Sequence, residues 1–271
     1  MSIYKSILLW VLSFVLMAAF AVYQRMTGPT YPVSGTTIIN SQEIKYKLLR
    51  TSSGTSDVGI DIIAPDKKIS GRMSWKRYVS GKEHLFQWET VDMLRKGDTL
   101  RAFLPGQPAA GKLMYSIALK AGAVEFKINE EPTVIRFKGE VPDIIIILHV
   151  ILIFSSMLLS TRTGIEALVK GDNVYKLTLW TVAVLLVGGL IFGPIVQKYA
   201  FDAYWTGWPF GKDLTDNKTI VSWIMWAIAL WRLKKKPDAR GWAIAAACVL
   251  IGIFLIPHSV LGSELDYTKM E

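Results

Sequence analysis

Two histidines carry much of the ligand-binding chemistry that this sequence offers. His149 lies inside one long apolar run, and His258 lies near the end of another. An ionisable side chain in such a run normally faces the interior of a helix bundle and has a partner there. Imidazole nitrogens can bind haem iron or a metal ion, and they can hydrogen-bond a quinone head group. The two histidines therefore predict a ligand site for haem b, a metal or a quinone, with a structural bond from His149 to Ser156 or to backbone as the alternative.

An aromatic and acidic segment, residues 197–220, connects two further apolar runs. Its carboxylate and amide oxygens suit hard cations, although their spacing differs from that of the helix-loop-helix calcium loop. Asp216 is expected instead to cap the helix that follows. Glu264 and Asp266 come after the last apolar run, where they could ligate a metal together with the histidines. The candidate site residues are His149, His258, Trp205, Trp208, Asp202, Asp213, Asp216, Asn217, Glu264 and Asp266.

Several functional classes have no sequence motif here. There is no P-loop, dinucleotide-binding fingerprint, HExxH, GxSxG or paired CxxC pattern in the chain. The formal net charge is +9, but membrane topology explains the basic excess and no base-reading motif accompanies it, so nucleic acid is not an expected partner. The single cysteine, Cys248, rules out an internal disulfide and a cysteine-type metal site. These absences favour a non-enzymatic protein.

Long apolar runs are the main organising feature of the chain. Each is close to or just under the roughly 20 residues that a membrane-spanning helix needs. The fourth run is the shortest, and it spans only if the lysines at its ends reach the membrane interface. The pattern predicts a multi-pass α-helical membrane protein with about five transmembrane helices. The runs are Ser6–Tyr23, Pro142–Ser160, Leu177–Val196, Thr219–Leu233 and Gly241–Leu261.

The distribution of basic residues predicts the orientation of these helices. Lysine and arginine near helix ends are retained on the cytoplasmic side. This rule puts the N-terminus inside, and it puts the long segment after the first helix, the segment 197–220 and the C-terminus outside. Both histidines then lie toward the outer side, where Trp205 and Trp208 would roof a pocket. The inner basic residues are Lys5, Arg162, Lys170, Lys176, Arg232, Lys234, Lys235, Lys236 and Arg240, and the outer ones are Lys198, Lys212, Lys218 and Lys269.

A different pattern occupies the residues between the first two apolar runs. Apolar residues alternate with polar ones, for example at Ile44, Tyr46 and Leu48, and again at Val58, Ile60 and Ile62. A period of two is typical of half-buried strands, and glycine- and proline-rich turns separate the stretches. About eight short strands without a helical pattern predict an antiparallel β-sandwich.

This β region also resembles a known class of module. The residues that carry the resemblance are Trp75–Tyr78, Trp88, Leu100–Pro108 and Tyr115–Ile117. Their order is similar to that in the immunoglobulin-like or fibronectin-type-III-like modules of bacterial exported proteins. The resemblance covers about residues 32–138 and implies an all-β extracytoplasmic sandwich, while the membrane part resembles no family. It implies no catalytic residue.

The predicted organisation has three parts. Residues 1–24 form a first transmembrane helix, either a signal anchor or a cleaved signal peptide. Residues 25–141 form the sandwich, and residues 142–271 form a four-helix membrane domain with the outer loop 197–220. Residues 163–170 are predicted to be a short interfacial helix.

These features lead to three functional hypotheses. The first is a non-enzymatic accessory or scaffold subunit of a bacterial cytoplasmic membrane, with membrane lipid and another envelope protein as partners. The second is a redox membrane subunit that binds haem b, a metal or a quinone through His149 and His258. The third is a small transporter.

Overall fold

The computed structural model describes residues 2–257, 260 and 262–270. The chain divides into two compact units, which are described separately. The helical unit comprises Met1–Pro29, Val141–Tyr199 and Ala203–Ser263. The β unit comprises Thr30–Glu140, Ala200–Asp202 and Glu264–Glu271. The β unit thus includes a short segment from the end of one helix and the end of the chain, neither of which the sequence pattern assigns to it.

Three helices of the described chain are long and apolar enough to cross a membrane. They are Ile3–Thr27, Asp143–Leu168 and Val174–Phe201. The third contains a π-helical stretch, Leu186–Phe192, between two α-helical parts. The helices are α1 (Ile3–Thr27), α2 (Asp143–Leu168), α3 (Val174–Leu185), α4 (Gly193–Phe201), α5 (Leu214–Lys235) and α6 (Gly241–Leu255).

Two sequence predictions about the helices are wrong. No separate interfacial helix occurs at residues 163–170, because α2 continues without a break through Leu168. The fifth apolar run was predicted to be helical through Leu261, but α6 ends at Leu255. Ile256 has an extended backbone, as expected for a residue before proline, and Pro257 follows it. His258, Ser259 and Leu261 lie outside the described residues.

The core of the helical unit combines small residues with one large aromatic ring. Ala243 and Ala246 on α6 are fully buried. They share a cluster with Trp226, which has no exposed surface. Gly188 permits close contact with α2, since a Cβ atom there would lie 2.7 Å from the Cβ atom of Leu152. Small residues at such contacts let membrane helices approach closely.

The described residues of the β unit form eleven strands, more than the eight or so that alternation predicted. The additional strands are short, so they carry little periodic signal. The strands are β1 (Val33–Ile39), β2 (Gln42–Leu48), β3 (Thr51–Ser53), β4 (Val58–Ile63), β5 (Ile69–Arg77), β6 (Glu89–Asp92), β7 (Leu94–Lys96), β8 (Thr99–Leu104), β9 (Lys112–Ala121), β10 (Val124–Lys127) and β11 (Thr133–Lys138).

These strands form two sheets. One has the order β1-β2-β4-β8-β7, and the other has the order β3-β11-β9-β5-β6 with β10 paired to β9. All pairs are antiparallel except β3 and β11, which pair in parallel with Phe137 opposite Ser52. The prediction of a wholly antiparallel sandwich is therefore wrong at this edge.

The alternating residues of both sheets supply one core. Ile44, Ile60, Tyr115 and Phe137 are fully buried within it. The Tyr115 hydroxyl donates a hydrogen bond to the backbone oxygen of Leu49 at 2.9 Å, so its polar atom has a partner. Buried side chains that alternate along each strand are what binary patterning predicts for a half-buried sheet.

Candidate functional site

His149 contacts the π-helical stretch. Its Nδ1 lies 2.9 Å from the backbone oxygen of Gly188. A π-helix shifts the backbone hydrogen-bond pattern, and such stretches occur often at functional sites. Ser156, the partner considered from sequence, instead donates to the backbone oxygen of Ile153 at 2.7 Å. The bond to backbone orients the ring, and in the tautomer protonated at Nδ1 the Nε2 lone pair has no hydrogen-bond partner among the residues that the structure describes.

Asp216 is the centre of a buried polar cluster. Its Oδ2 accepts hydrogen bonds from the backbone nitrogens of Thr206 at 2.7 Å and Gly207 at 2.9 Å. The side-chain amide of Gln197 donates to the same oxygen at 3.1 Å. These bonds fold the loop back onto the start of α5. The carboxylate therefore organises the loop.

Asp213 performs the capping role that the sequence assigned to Asp216. Its Oδ1 accepts a hydrogen bond from the backbone nitrogen of Thr215 at 2.8 Å, which makes Asp213 the N-cap of α5. Its Oδ2 accepts from the backbone nitrogen of Ser263 at 2.8 Å and from the Ser263 hydroxyl at 2.9 Å. The prediction of Asp216 as the cap is wrong, because the helix begins three residues earlier than the residue pattern suggested.

Asn217 and the two tryptophans hold the loop in shape. The Asn217 side-chain oxygen accepts from the backbone nitrogen of Trp208 at 2.7 Å. The Trp205 ring nitrogen donates to the backbone oxygen of Trp208 at 3.1 Å. The Trp208 ring is 77% exposed and the Phe210 ring is 83% exposed, so these rings point away from the cluster. Exposed aromatic rings at the ends of membrane helices are typical of the membrane–water interface.

The remaining candidate acids lie in the β unit. Asp202 belongs to the short segment Ala200–Asp202, which includes the last two residues of α4. Glu264 accepts from the backbone nitrogen of Ser80 at 2.9 Å, and its other oxygen contacts the ammonium group of Lys112. Asp266 pairs with Lys82 at 2.8 Å. Within the described chain, no three or more His, Cys, Asp or Glu side chains are placed to hold a metal ion.

Tyr267 is a binding residue that sequence reasoning missed. It is buried in the β unit, and its hydroxyl donates to the side-chain oxygen of Gln107 at 2.8 Å. Burial raises the pKa of Tyr267 to about 12, whereas the hydrogen bond from Lys82 lowers the pKa of Asp266 to about 2. The residues around Tyr267 form a polar tail with no apolar period, so no sequence signal marks it as buried.

A buried ion pair in α2 was also missed. Arg162 donates to Glu166 at 2.6 Å, and their side chains are 2% and 0% exposed. Glu166 also accepts from the backbone nitrogen of Asn173, which fixes the turn between α2 and α3. Arg162 had been counted as a loop residue on the inner side. Without Arg162, the residues predicted to lie on the inner side still include more lysines and arginines than those predicted to lie on the outer side.

The helical unit also contains a small cavity of about 40 Å³. Its polar lining includes Lys218, whose ammonium group donates to the backbone oxygens of Ile256 at 2.9 Å and Pro257 at 3.2 Å. Lysine near the end of a helix satisfies carbonyl groups that have no partner in the helix itself. Lys218 thus closes the end of α6, and the space left over suits water.

The predicted site residues of the described chain fall into three sets by their hydrogen-bond partners. His149 contacts the π-helical stretch, Asp213, Asp216 and Asn217 organise the loop, and Glu264 and Asp266 bind the β unit. No protein-family model, curated protein or solved structure matches the chain.

Proposed function

We propose that this chain is a multi-pass protein of a bacterial cytoplasmic membrane with five spanning helices. In this arrangement α5 and α6 join the three long apolar helices, and the lysines that flank α5 reach the two interfaces. Basic residues at the facing ends of α2 and α3 (Lys170, Lys176) and of α5 and α6 (Arg232, Lys234, Lys235, Lys236, Arg240) support an inner N-terminus. The β unit is then an immunoglobulin-like module on the outer side, which its two packed sheets support.

We further propose that the protein is a non-enzymatic accessory subunit whose β unit binds another envelope component. One observation carries this proposal: the β unit already holds a peptide segment, Glu264–Met270, whose first three residues are irregular and whose residues Tyr267–Lys269 form a 3-10 turn. Ion pairs, a backbone hydrogen bond and a buried tyrosine hold that stretch. These are the contacts by which folded modules recognise peptide segments.

Crosslinking in intact cells tests this proposal. A membrane-impermeant crosslinker should join the protein to a second polypeptide, which is then purified with it under denaturing conditions. A variant with Lys82 and Lys112 changed to arginine keeps the charge but lacks reactive lysines at this surface, so its yield of adduct should fall. Recovery of the free monomer alone from the unaltered protein would contradict the proposal.

A redox role is the second candidate, and the geometry of His149 favours it. A histidine that bonds to a backbone carbonyl through Nδ1 is oriented to ligate through Nε2. Haem bound at this residue gives the purified protein a Soret band, and His149→Ala removes the band while the protein still assembles. A featureless visible spectrum of protein purified from its native membrane would contradict the haem form of this role.

A further inference from the structure

The end of the chain occupies a groove on the β unit. We call it the tail groove, and it is formed by Ser80, Lys82, Phe86, Gln107, Ala110 and Lys112. The bound segment is Glu264–Met270, which we call the tail. The backbone nitrogen of Leu265 donates to the backbone oxygen of Ala110 at 3.1 Å, so the main chain is recognised as well as the side chains.

A slot within the tail groove is shaped for tyrosine. The ring of Tyr267 packs edge-to-face on Phe86, with ring centres 6.1 Å apart. Gly111 leaves space for the phenol, because a Cβ atom there would lie 2.6 Å from its oxygen. The side-chain nitrogen of Gln107 donates to the backbone oxygens of Pro105 and Gly106, which turns its oxygen toward the phenol. An oriented acceptor of this kind selects a hydroxyl donor.

Two basic groups beside the slot select acids. Lys112 contacts Glu264, whose side chain is 19% exposed, while the hydroxyl of Ser80 donates to the same carboxylate at 3.1 Å. Lys82 pairs with Asp266 at the more open end of the groove. The tail groove therefore recognises a segment with an acidic residue, any residue, a second acidic residue and a tyrosine, in that order.

The contacts that hold the tail are concentrated at its first four residues, mainly at Glu264 and Tyr267. Among its described residues Tyr267 is the one buried side chain, and Thr268, Lys269 and Met270 are exposed. Exposed ion pairs such as Lys82–Asp266 contribute little stability. A tethered segment can still fill a weak site, because the tether gives it a high effective concentration. A free segment of the same chemistry can compete for the groove.

We propose that the tail groove is the partner-binding site of the β unit. The partner presents a segment with the order acid, any residue, acid, tyrosine, and the chain's own tail competes with it. This inference rests on the proposed function and adds to it the place and the chemistry of recognition.

A labelled peptide with the sequence of residues 263–271 tests the groove on the full-length protein in detergent. Tyr267→Ala removes the tail's anchor and should raise the affinity for this peptide at least tenfold over the unaltered protein. Lys269→Ala is the matched control, because its side chain is exposed in the same tail; it should bind as the unaltered protein does. Adding Lys112→Met to Tyr267→Ala should abolish the gain.

The peptide's chemistry provides the second half of the test. A peptide with phenylalanine in place of the tyrosine should bind the Tyr267→Ala variant with an affinity about fivefold lower than that of the tyrosine peptide. The reason is that the phenylalanine peptide cannot form the hydrogen bond to Gln107. Equal binding of both peptides, or no gain in affinity from Tyr267→Ala, would overturn the inference.

The crosslinking yield separates this inference from the proposed function. A partner that is captured equally by the unaltered protein and by Lys112→Met binds elsewhere, so the proposed function stands and the groove assignment fails. Capture that rises with Tyr267→Ala and falls with Lys112→Met supports both. If no partner is captured, both the proposed function and this inference are contradicted.

Discussion

The phenol of Tyr267 donates a 2.8 Å hydrogen bond to the side-chain oxygen of Gln107, which lies 160 positions earlier in the sequence. Tyr267→Phe should keep the ring packed on Phe86 and lose only this bond. A single hydrogen bond contributes about 1 kcal/mol, so the tail should open about fivefold more often. Hydrogen exchange at the Leu265 amide measures this opening. An unchanged exchange rate would show that the bond does not hold the tail.

Acid should loosen the tail modestly through Asp266, because the ion pair of this residue with Lys82 is partly exposed. The pKa of this carboxyl is about 2 when the tail is bound, below the ordinary value of 3.8, because Lys82 and Thr268 donate to it. A lowered pKa stabilises the bound tail above about pH 4, and that contribution is lost as the pH falls toward 2. Proteolysis of the tail by an acid-tolerant protease should therefore accelerate across this window.

Asp266→Asn is the control for the acid response, because asparagine does not titrate. Its tail should be cleaved faster than that of the unaltered protein at pH 5, and the difference between the two proteins should disappear near pH 2. A difference that stays constant across the window would mean that another carboxyl controls release.

The buried ion pair in α2 predicts a large penalty for losing one partner. Glu166→Ala leaves the buried charge of Arg162 without its carboxylate, which costs about 3–5 kcal/mol. The double change to Arg162→Met and Glu166→Leu removes both charges and should recover most of that loss. Thermal unfolding in detergent measures both effects. A double variant that melts as early as Glu166→Ala would contradict this assignment.

Two phenylalanines of the β unit offer a matched test of the core. Phe137 is fully buried, whereas Phe103 is 52% exposed on the outer face of its sheet. Phe137→Ala should reduce the free energy of unfolding by about 3–5 kcal/mol, and Phe103→Ala should reduce it by about 1 kcal/mol or less. The loss of strand signal in circular dichroism on heating reports the difference. Equal losses would mean that the core lies elsewhere.

Alternation was a reliable guide to the longer strands. Ile44 and Leu48 on β2 and Ile60 and Ile62 on β4 are buried as their period predicts. The three-residue strand β3 was not predicted, since three residues cannot show a period. The parallel pairing of β3 with β11 joins two segments that are far apart in the sequence at one edge of the second sheet. A local sequence pattern does not predict pairing between strands so far apart in the sequence.

The burial and the partners of the candidate site residues also depend on tertiary structure, so the sequence could not predict them. Burial of Arg162 and Glu166 could not be read from sequence, because an i,i+4 pair of opposite charge is typical of an exposed helix surface. Glu264 and Asp266 were considered from sequence as possible metal ligands, but they pair with Lys112 and Lys82, which lie more than 150 residues earlier. Residue type indicates that a carboxylate needs a partner. Only the fold shows which partner it has.

The side of the membrane on which the β unit lies is the central claim, and cysteine labelling tests it most directly. In a Cys248→Ser background, single cysteines replace Ser53 in the β unit, Lys212 in the loop before α5 or Lys235 at the end of α5; all three positions are exposed. An impermeant thiol reagent applied to intact spheroplasts should label the cysteines at positions 53 and 212, while the one at 235 reacts only after lysis. Labelling at 235 together with protection at 53 would place the β unit inside and contradict the proposed function.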